Sequence, residues 1–374
     1  MTPFRIALLS VAAAATLSGC VSLPTRQELA VAPGPQFEMP VGSVNIDGRA
    51  RFRDIFCSVL EREPGYDGHD RNCSEYLWRL DDEVPAESLP PPDPDRSLQF
   101  YLVTGAFSEC LGDEARPFNN AVAALTESGY RIETIVVSGR SGSEYNARQI
   151  AERLANRPQA EQGPVVLIGY SKGANDILEF LVRYPDVATD VQSVVSVAGA
   201  IAGSPLADQA DEFYELVLGW VPLSSCPQGD GKVVDSLRAQ ARRDWLQKNT
   251  LPDSVQYFSL AAFTTRPHMS AALVPVWKRL LRYDHRNDGQ VLARDSLIPG
   301  STLLGYLDAD HWSAAIDVES VHPVIGARRD PTPFPRAALL EAILLQVAES
   351  RLSRPRDQGV NIGNFGSSIA TTFH

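Results

Sequence analysis

Val165-Val166-Leu167-Ile168-Gly169-Tyr170-Ser171-Lys172-Gly173-Ala174-Asn175-Asp176-Ile177-Leu178 is the stretch on which the fold turns. Its first four residues are wholly apolar and mostly β-branched, which suits a strand buried on both faces. Gly169-Tyr170-Ser171-Lys172-Gly173 then fits Gly-x-Ser-x-Gly, and a helix is expected over about 172–183. A sharp strand-to-helix turn crowds its own backbone, so a Cβ at either glycine would clash. Such a turn lifts Ser171 Oγ above the sheet, with a helix N-terminus behind it that favours negative charge.

The same rhythm extends in both directions. Leu98–Val103, Ile132–Val137, Val191–Val197, Val255–Phe263 and Thr302–Leu307 read as further strands. Helices are expected over Phe118–Ser128, Glu144–Ala155 and Pro335–Glu349. Strand-helix alternation of this kind argues a parallel sheet covered on both sides. The rhythm breaks at 203–252. There an apolar helical segment (Phe213, Tyr214, Leu216, Val217, Leu218, Trp220) precedes Cys226 and a polar helix from about Val233 to Lys248. The apolar segment reads equally as a lid over an acyl chain or as core packing. Ser138-Gly139-Arg140-Ser141-Gly142 lacks the Gly-Lys-Ser/Thr ending of a phosphate-binding loop, so it reads as a pocket rim or as nothing functional.

In this setting the serine motif resembles the nucleophile elbow of the α/β-hydrolase fold. The resemblance covers Leu98 to Glu349. It implies a mostly parallel central sheet with helices on both faces and a helical lid insertion. It also implies a triad in the order Ser, acid, His, carried on loops at the C-terminal edge of the sheet. With Ser171 as nucleophile, the downstream histidines are His268, His285, His311, His322 and His374. His311 is chosen because Leu307-Asp308-Ala309-Asp310-His311-Trp312 follows the last expected strand and resembles the segment that carries the catalytic His in bacterial lipases. Asn287-Asp288-Gly289-Gln290-Val291 resembles the Asp-Gly-x-Val segment of lipase-like hydrolases, which makes Asp288 the acid, ahead of Asp284 and Asp295. The bland reading of that stretch is a solvated Asn-Asp-Gly turn. The oxyanion hole would take the Lys172 amide and, from Thr104-Gly105-Ala106-Phe107, the Ala106 amide, with Phe107 next. Thr104 departs from the His-Gly-x of many lipases and leaves that register open. The Lys172 side chain reads as structural or exposed.

The implied reaction is hydrolysis of a carboxylic ester through an acyl-enzyme, with a small-molecule or lipid ester as substrate and no metal or organic cofactor. An envelope acyltransferase using the same triad, and a non-catalytic binding lipoprotein on this fold, are the alternatives.

Composition sets the outer limits. The chain has 374 residues, 44% of them hydrophobic and 21% charged, enough for a sizeable core. A formal net charge of −12 argues against nucleic acid as a partner, because phosphate binding needs a concentrated basic surface. Arg5, the apolar run Ile6–Ala15 and Leu17-Ser18-Gly19-Cys20 make an export signal too short to span a membrane. Leu-Ser-Gly-Cys resembles a bacterial lipobox, which implies cleavage before Cys20 and a diacylglyceryl thioether on it. Val21 in place of Asp favours the outer membrane, with the domain in the periplasm or at the cell surface. The expected organisation is signal peptide 1–19, tether 20–46, N-terminal helical segment and Pro-rich linker 47–97, hydrolase domain 98–352 and tail 353–374. The helical segment would comprise helices over 50–62 and 72–80. Cys57, Cys73, Cys110 and Cys226 suggest two disulfides in an exported protein. Three pairings exist; Cys57–Cys73 with Cys110–Cys226 is preferred, because each would staple an otherwise mobile segment.

Overall fold

The computed structural model describes residues 23–31, 45–62, 72–110, 112–209, 226–330 and 332–353. Seven strands lie among them: β1 (Ile46–Asp47), β2 (Gln99–Val103), β3 (Arg131–Ile135), β4 (Val165–Tyr170), β5 (Val191–Val197), β6 (Gln256–Phe263) and β7 (Thr302–Asp308). They form one sheet in the order β1-β7-β6-β5-β4-β2-β3, with every pair parallel. A parallel sheet needs cover on both faces, and the strands divide their side chains accordingly. Phe100 and Leu102 of β2 face one core with Val166, Ile168 and Tyr170 of β4. Tyr101, Val103, Val165 and Leu167 face the other.

Ten helices can be followed in the described residues: α1 (Arg26–Val31), α2 (Arg49–Arg62), α3 (Asn119–Glu127), α4 (Ser143–Ala155), α5 (Lys172–Arg183), α6 (Ala239–Lys248), α7 (Val274–Leu280), α8 (Val318–Val321), α9 (Pro323–Gly326) and α10 (Arg336–Leu352). Phe52, Ile55, Phe56 and Val59 of α2 share the first core with α3 and with Leu339, Leu340, Ile343 and Leu344 of α10. The second core takes Ala147, Ile150 and Leu154 of α4 and Ile177, Leu178, Phe180 and Leu181 of α5. No described helix is long and apolar enough to cross a membrane.

The N-terminal third departs from expectation in two places. The expected tether 20–46 is not uniformly free chain: α1 packs on the domain with Leu29 buried among Trp78, Phe263 and Tyr306, and Ile46 already belongs to β1. Within 72–80 only Cys73–Glu75 makes a helical turn, and residues 76–78 are drawn out along β7 instead. The cause is hydrogen-bond demand. The two-residue strand β1 pairs only with Thr302 and Leu303, which would leave the rest of that edge open. Trp78 N–H donates to Tyr306 O at 2.8 Å and Asp308 N–H to Tyr76 O at 2.8 Å, closing it.

Both preferred disulfides are present, Cys57–Cys73 and Cys110–Cys226, with Cα atoms 5.2 and 4.6 Å apart. Cys20, the turn at Pro64-Gly65, the apolar run 213–220 and the tail from 354 lie outside the described residues.

Candidate active site

Ser171 sits between β4 and α5 with φ 54° and ψ −128°. An L-residue pays roughly 1–3 kcal/mol for such a conformation, and it persists only where the surroundings enforce it. Here the two glycines of the motif do so. A Cβ on Gly169 would lie 2.4 Å from Ala174 Cα, and one on Gly173 would lie 2.5 Å from Val103 O. The turn is pinned by Ser171 N–H donating to Val197 O at 3.0 Å.

Three loops at the C-terminal edge of the sheet meet over this turn. His311 follows β7, and its Nε2 lies 2.8 Å from Ser171 Oγ. Asp288, in the segment between β6 and β7, places Oδ2 2.7 Å from His311 Nδ1. Its other oxygen, Oδ1, accepts the amides of Gln290 at 2.8 Å and Val291 at 2.7 Å. Gly289, at φ 93°, makes that tight turn possible. The backbone of Asp288 also accepts His311 N–H at 2.8 Å, so the two loops are joined by main chain as well as side chain. Asp288 is fully buried and His311 2% exposed, while Ser171 keeps 9% of its surface. The arrangement has a buried carboxylate orienting an imidazole, which in turn reaches the hydroxyl of a serine held at strained backbone angles. Chemically it can take a proton from Ser171 Oγ and stabilise the imidazolium that results.

The other candidates are placed elsewhere. His268 lies with its ring nitrogens 3.3 Å from Asp308 and 3.4 Å from Asp330. His322 ends α8, and His374 is outside the described residues. Asp284 accepts Arg286 N–H, and Asp295 lies beside Arg294. The loop 104–107 lies directly on Ser171, since a Cβ on Gly105 would stand 3.0 Å from Ser171 Cβ. Phe107, the second oxyanion candidate, has its N–H committed to Gly139 O at 3.1 Å, which leaves Ala106 as the open choice from that loop. The loop 138–142 thus braces 104–107 from behind: Gly139 N–H also donates to Glu109 Oε1 at 2.9 Å.

Several supporting residues escaped the sequence reading. Tyr170 donates its hydroxyl to His311 O at 2.7 Å, and burial holds that phenol well above its usual range. Asp310 accepts Ser270 N–H at 2.6 Å and Ser313 N–H at 2.7 Å, bracing the histidine loop on both sides. The spacing of Asp310 to Ser313 was the available signal, since Asp commonly turns the backbone this way. The Lys172 side chain is 1% exposed and paired with Asp176 at 2.6 Å, with Asn146 donating to the same carboxylate at 2.7 Å. Burial lowers the Lys172 ammonium below its ordinary value, against the pull of Asp176. Among the described residues no group of three or more His, Cys, Asp or Glu is disposed to hold a metal ion.

The chain is similar to the metagenomic carboxyl esterase MGS0156, at 37% identity over 87% of this chain and 98% of that one, with a TM-score of 0.76. Two further solved structures are more distant: the mature Bacillus licheniformis lipase BlEst2 and the Staphylococcus hyicus lipase. The first is 20% identical, covering 64% of this chain and 96% of that one, with a TM-score of 0.49. The second is 13% identical, covering 72% of this chain and 100% of that one, also with a TM-score of 0.49. No protein-family model and no curated protein matches the chain. The identity to MGS0156 over nearly the whole of both chains, on a parallel sheet carrying a Gly-x-Ser-x-Gly turn, shows that the chain belongs to the α/β-hydrolase family that includes this carboxyl esterase.

Proposed function

We propose that the protein hydrolyses carboxylic esters with Ser171 as nucleophile, His311 as general base and Asp288 as the acid that orients it. The observation that carries this reading is the unbroken relay from Asp288 Oδ2 through His311 to Ser171 Oγ, at 2.7 and 2.8 Å. His311 Nε2 takes the proton as Ser171 Oγ attacks the carbonyl carbon. The tetrahedral oxyanion sits on the Lys172 and Ala106 amides, the imidazolium protonates the leaving alcohol, and water then releases the acyl group by the same steps. Similarity to a carboxyl esterase supports the substrate class. The lipobox-like Leu17-Ser18-Gly19-Cys20 supports a lipid anchor on Cys20, in the outer membrane, and the two disulfides support an oxidising compartment.

The test is reaction of the domain lacking residues 1–20 with a fluorophosphonate probe, beside Ser171→Ala, with p-nitrophenyl esters of rising chain length as the second readout. Wild type labels and turns over ester, whereas Ser171→Ala does neither. Labelling that persists in Ser171→Ala would sink the assignment of the nucleophile.

A further inference from the structure

Helix α1 is built to occupy one place on the domain. Thr25 N–H donates to Glu28 Oε2 at 2.8 Å and Glu28 N–H to Thr25 Oγ1 at 3.3 Å. This reciprocal cap fixes where the helix begins. Six residues do not hold a helix in water, so contact with the domain must supply the order. Pro24 and Leu29 are buried, and Arg26 stacks 4.2 Å above the Trp78 ring while pairing with the buried Asp308 carboxylate. Trp78 is itself locked by its indole N–H to Phe263 O at 2.9 Å, and Glu28 lies within electrostatic reach of His285.

These contacts share a location. Phe263 and Asp308 are the last residues of β6 and β7, and His285 stands three residues before Asp288. Helix α1 is therefore seated at the C-terminal edge of the sheet, the edge that also carries Ser171, Asp288 and His311. The chain arrives there from Cys20. Four residue steps separate Cys20 from the buried Pro24, a reach of at most about 14 Å even when fully extended. A free tether running the whole way from Cys20 to residue 46 would instead give a root-mean-square reach of about 30 Å and no preferred orientation.

Resting on the lipoprotein reading above, we infer that α1 holds the catalytic edge against the lipid surface, and that the substrate is an ester whose acyl chain resides in the bilayer. A diacylglyceryl group on Cys20 sits in the membrane, and the short span to α1 brings the β6–β7 end of the catalytic edge close to the headgroups. The anchor then sets orientation as well as local concentration.

The experiment uses the full lipidated chain in phosphatidylethanolamine–phosphatidylglycerol vesicles that also carry a long-chain fluorogenic ester. It is compared with the same chain bearing roughly twenty Gly and Ser residues inserted after Val21, and with Arg26→Ala combined with Leu29→Ser. Soluble p-nitrophenyl acetate is the reference substrate. All three proteins should hydrolyse acetate alike, whereas the intact chain should exceed both variants on the vesicle ester by about tenfold. Equal rates of all three on the vesicle ester would overturn the inference. If the double variant loses acetate turnover through misfolding, the spacer insertion decides, because it leaves every docking contact in place. The mass of the N-terminal peptide reads the anchor separately. An unmodified Cys20 removes this inference along with the anchor, while acetate turnover still reports whether the ester-hydrolase reading stands.

Discussion

Asp288 is surrounded by three donors: the amides of Gln290 and Val291 on Oδ1 and the His311 ring on Oδ2. Asp288→Asn keeps the shape and the two amide bonds but turns an N–H toward His311 Nδ1. The imidazole must then present a lone pair at Nδ1 and carry its proton on Nε2, where it cannot accept from Ser171. We expect kcat to fall by roughly 10⁴ with little change in KM, because the loss falls on the chemical step. Steady-state kinetics checks it, and a fall of less than about tenfold would point to another acid. A second carboxylate, Asp295, shows burial acting outside the Asp288–His311–Ser171 relay. Burial raises it from 3.8 to about 6, only partly opposed by Arg294 and Arg243. A raised folded pKa means that stability is fully present below pH 3.8 and is lost as pH rises through 6. Asp295→Asn should therefore raise stability at pH 8 by up to about 3 kcal/mol, and with it the melting temperature, and change both little near pH 4. Melting curves at the two pH values test the sign.

The elbow is where local sequence and local structure agree most closely. Gly169 and Gly173 each face backbone within 2.5 Å of where a Cβ would lie, so no rotamer change relieves a substitution. Gly173→Ala would push α5 away from Val103 and Thr104, and with it the Ser171 hydroxyl from His311. Activity should fall at least about a hundredfold, because a displacement of 1 Å costs that much. Unfolding midpoints in urea should fall as well. The buried strands could be read from their apolar runs: Val165–Tyr170 and Val191–Val197 are covered on both faces, so burial and composition carry the same information. Residues 76–78 could not be read this way. They lie extended because β1 is too short to satisfy β7, a demand set by residues more than 200 positions away. Helix α1 was hidden for a different reason: six residues give no periodicity, and only the Thr25-x-x-Glu28 pattern marked its start.

Across the whole molecule, Ser171 and His311 were legible because each follows closely on a buried strand, β4 or β7, whereas Asp288 stands well beyond β6 and was singled out by the Asp-Gly-x-Val pattern around it. The means that keep their loops in register did not, since Tyr170, Asp310 and Gly139 act through main-chain atoms of distant residues. The disulfides are part of that long-range control, and they are unequal. Cys57–Cys73 closes a separation of 16 residues within the N-terminal segment, whereas Cys110–Cys226 closes one of 116 and ties the loop after β2 to the stretch between β5 and β6. Beyond Cys226 the chain is fastened again, with Asp230 N–H donating to Ser141 Oγ at 3.0 Å and Asp230 Oδ1 accepting Gly142 N–H at 2.9 Å. Restriction of the unfolded chain is worth about 3 kcal/mol for the short loop and close to 5 for the long one. Removal of the pair Cys110→Ser and Cys226→Ser should therefore lower stability more than removal of Cys57→Ser and Cys73→Ser. It should also slow ester turnover, because Cys110 closes the loop that begins at Thr104 and lies on Ser171. The short bridge touches no part of that loop, so its removal should lower the melting temperature and leave kcat nearly unchanged. Kinetics and melting measured together on both double variants separate the two roles. Equal loss of kcat from both would mean that the long bridge acts on stability alone.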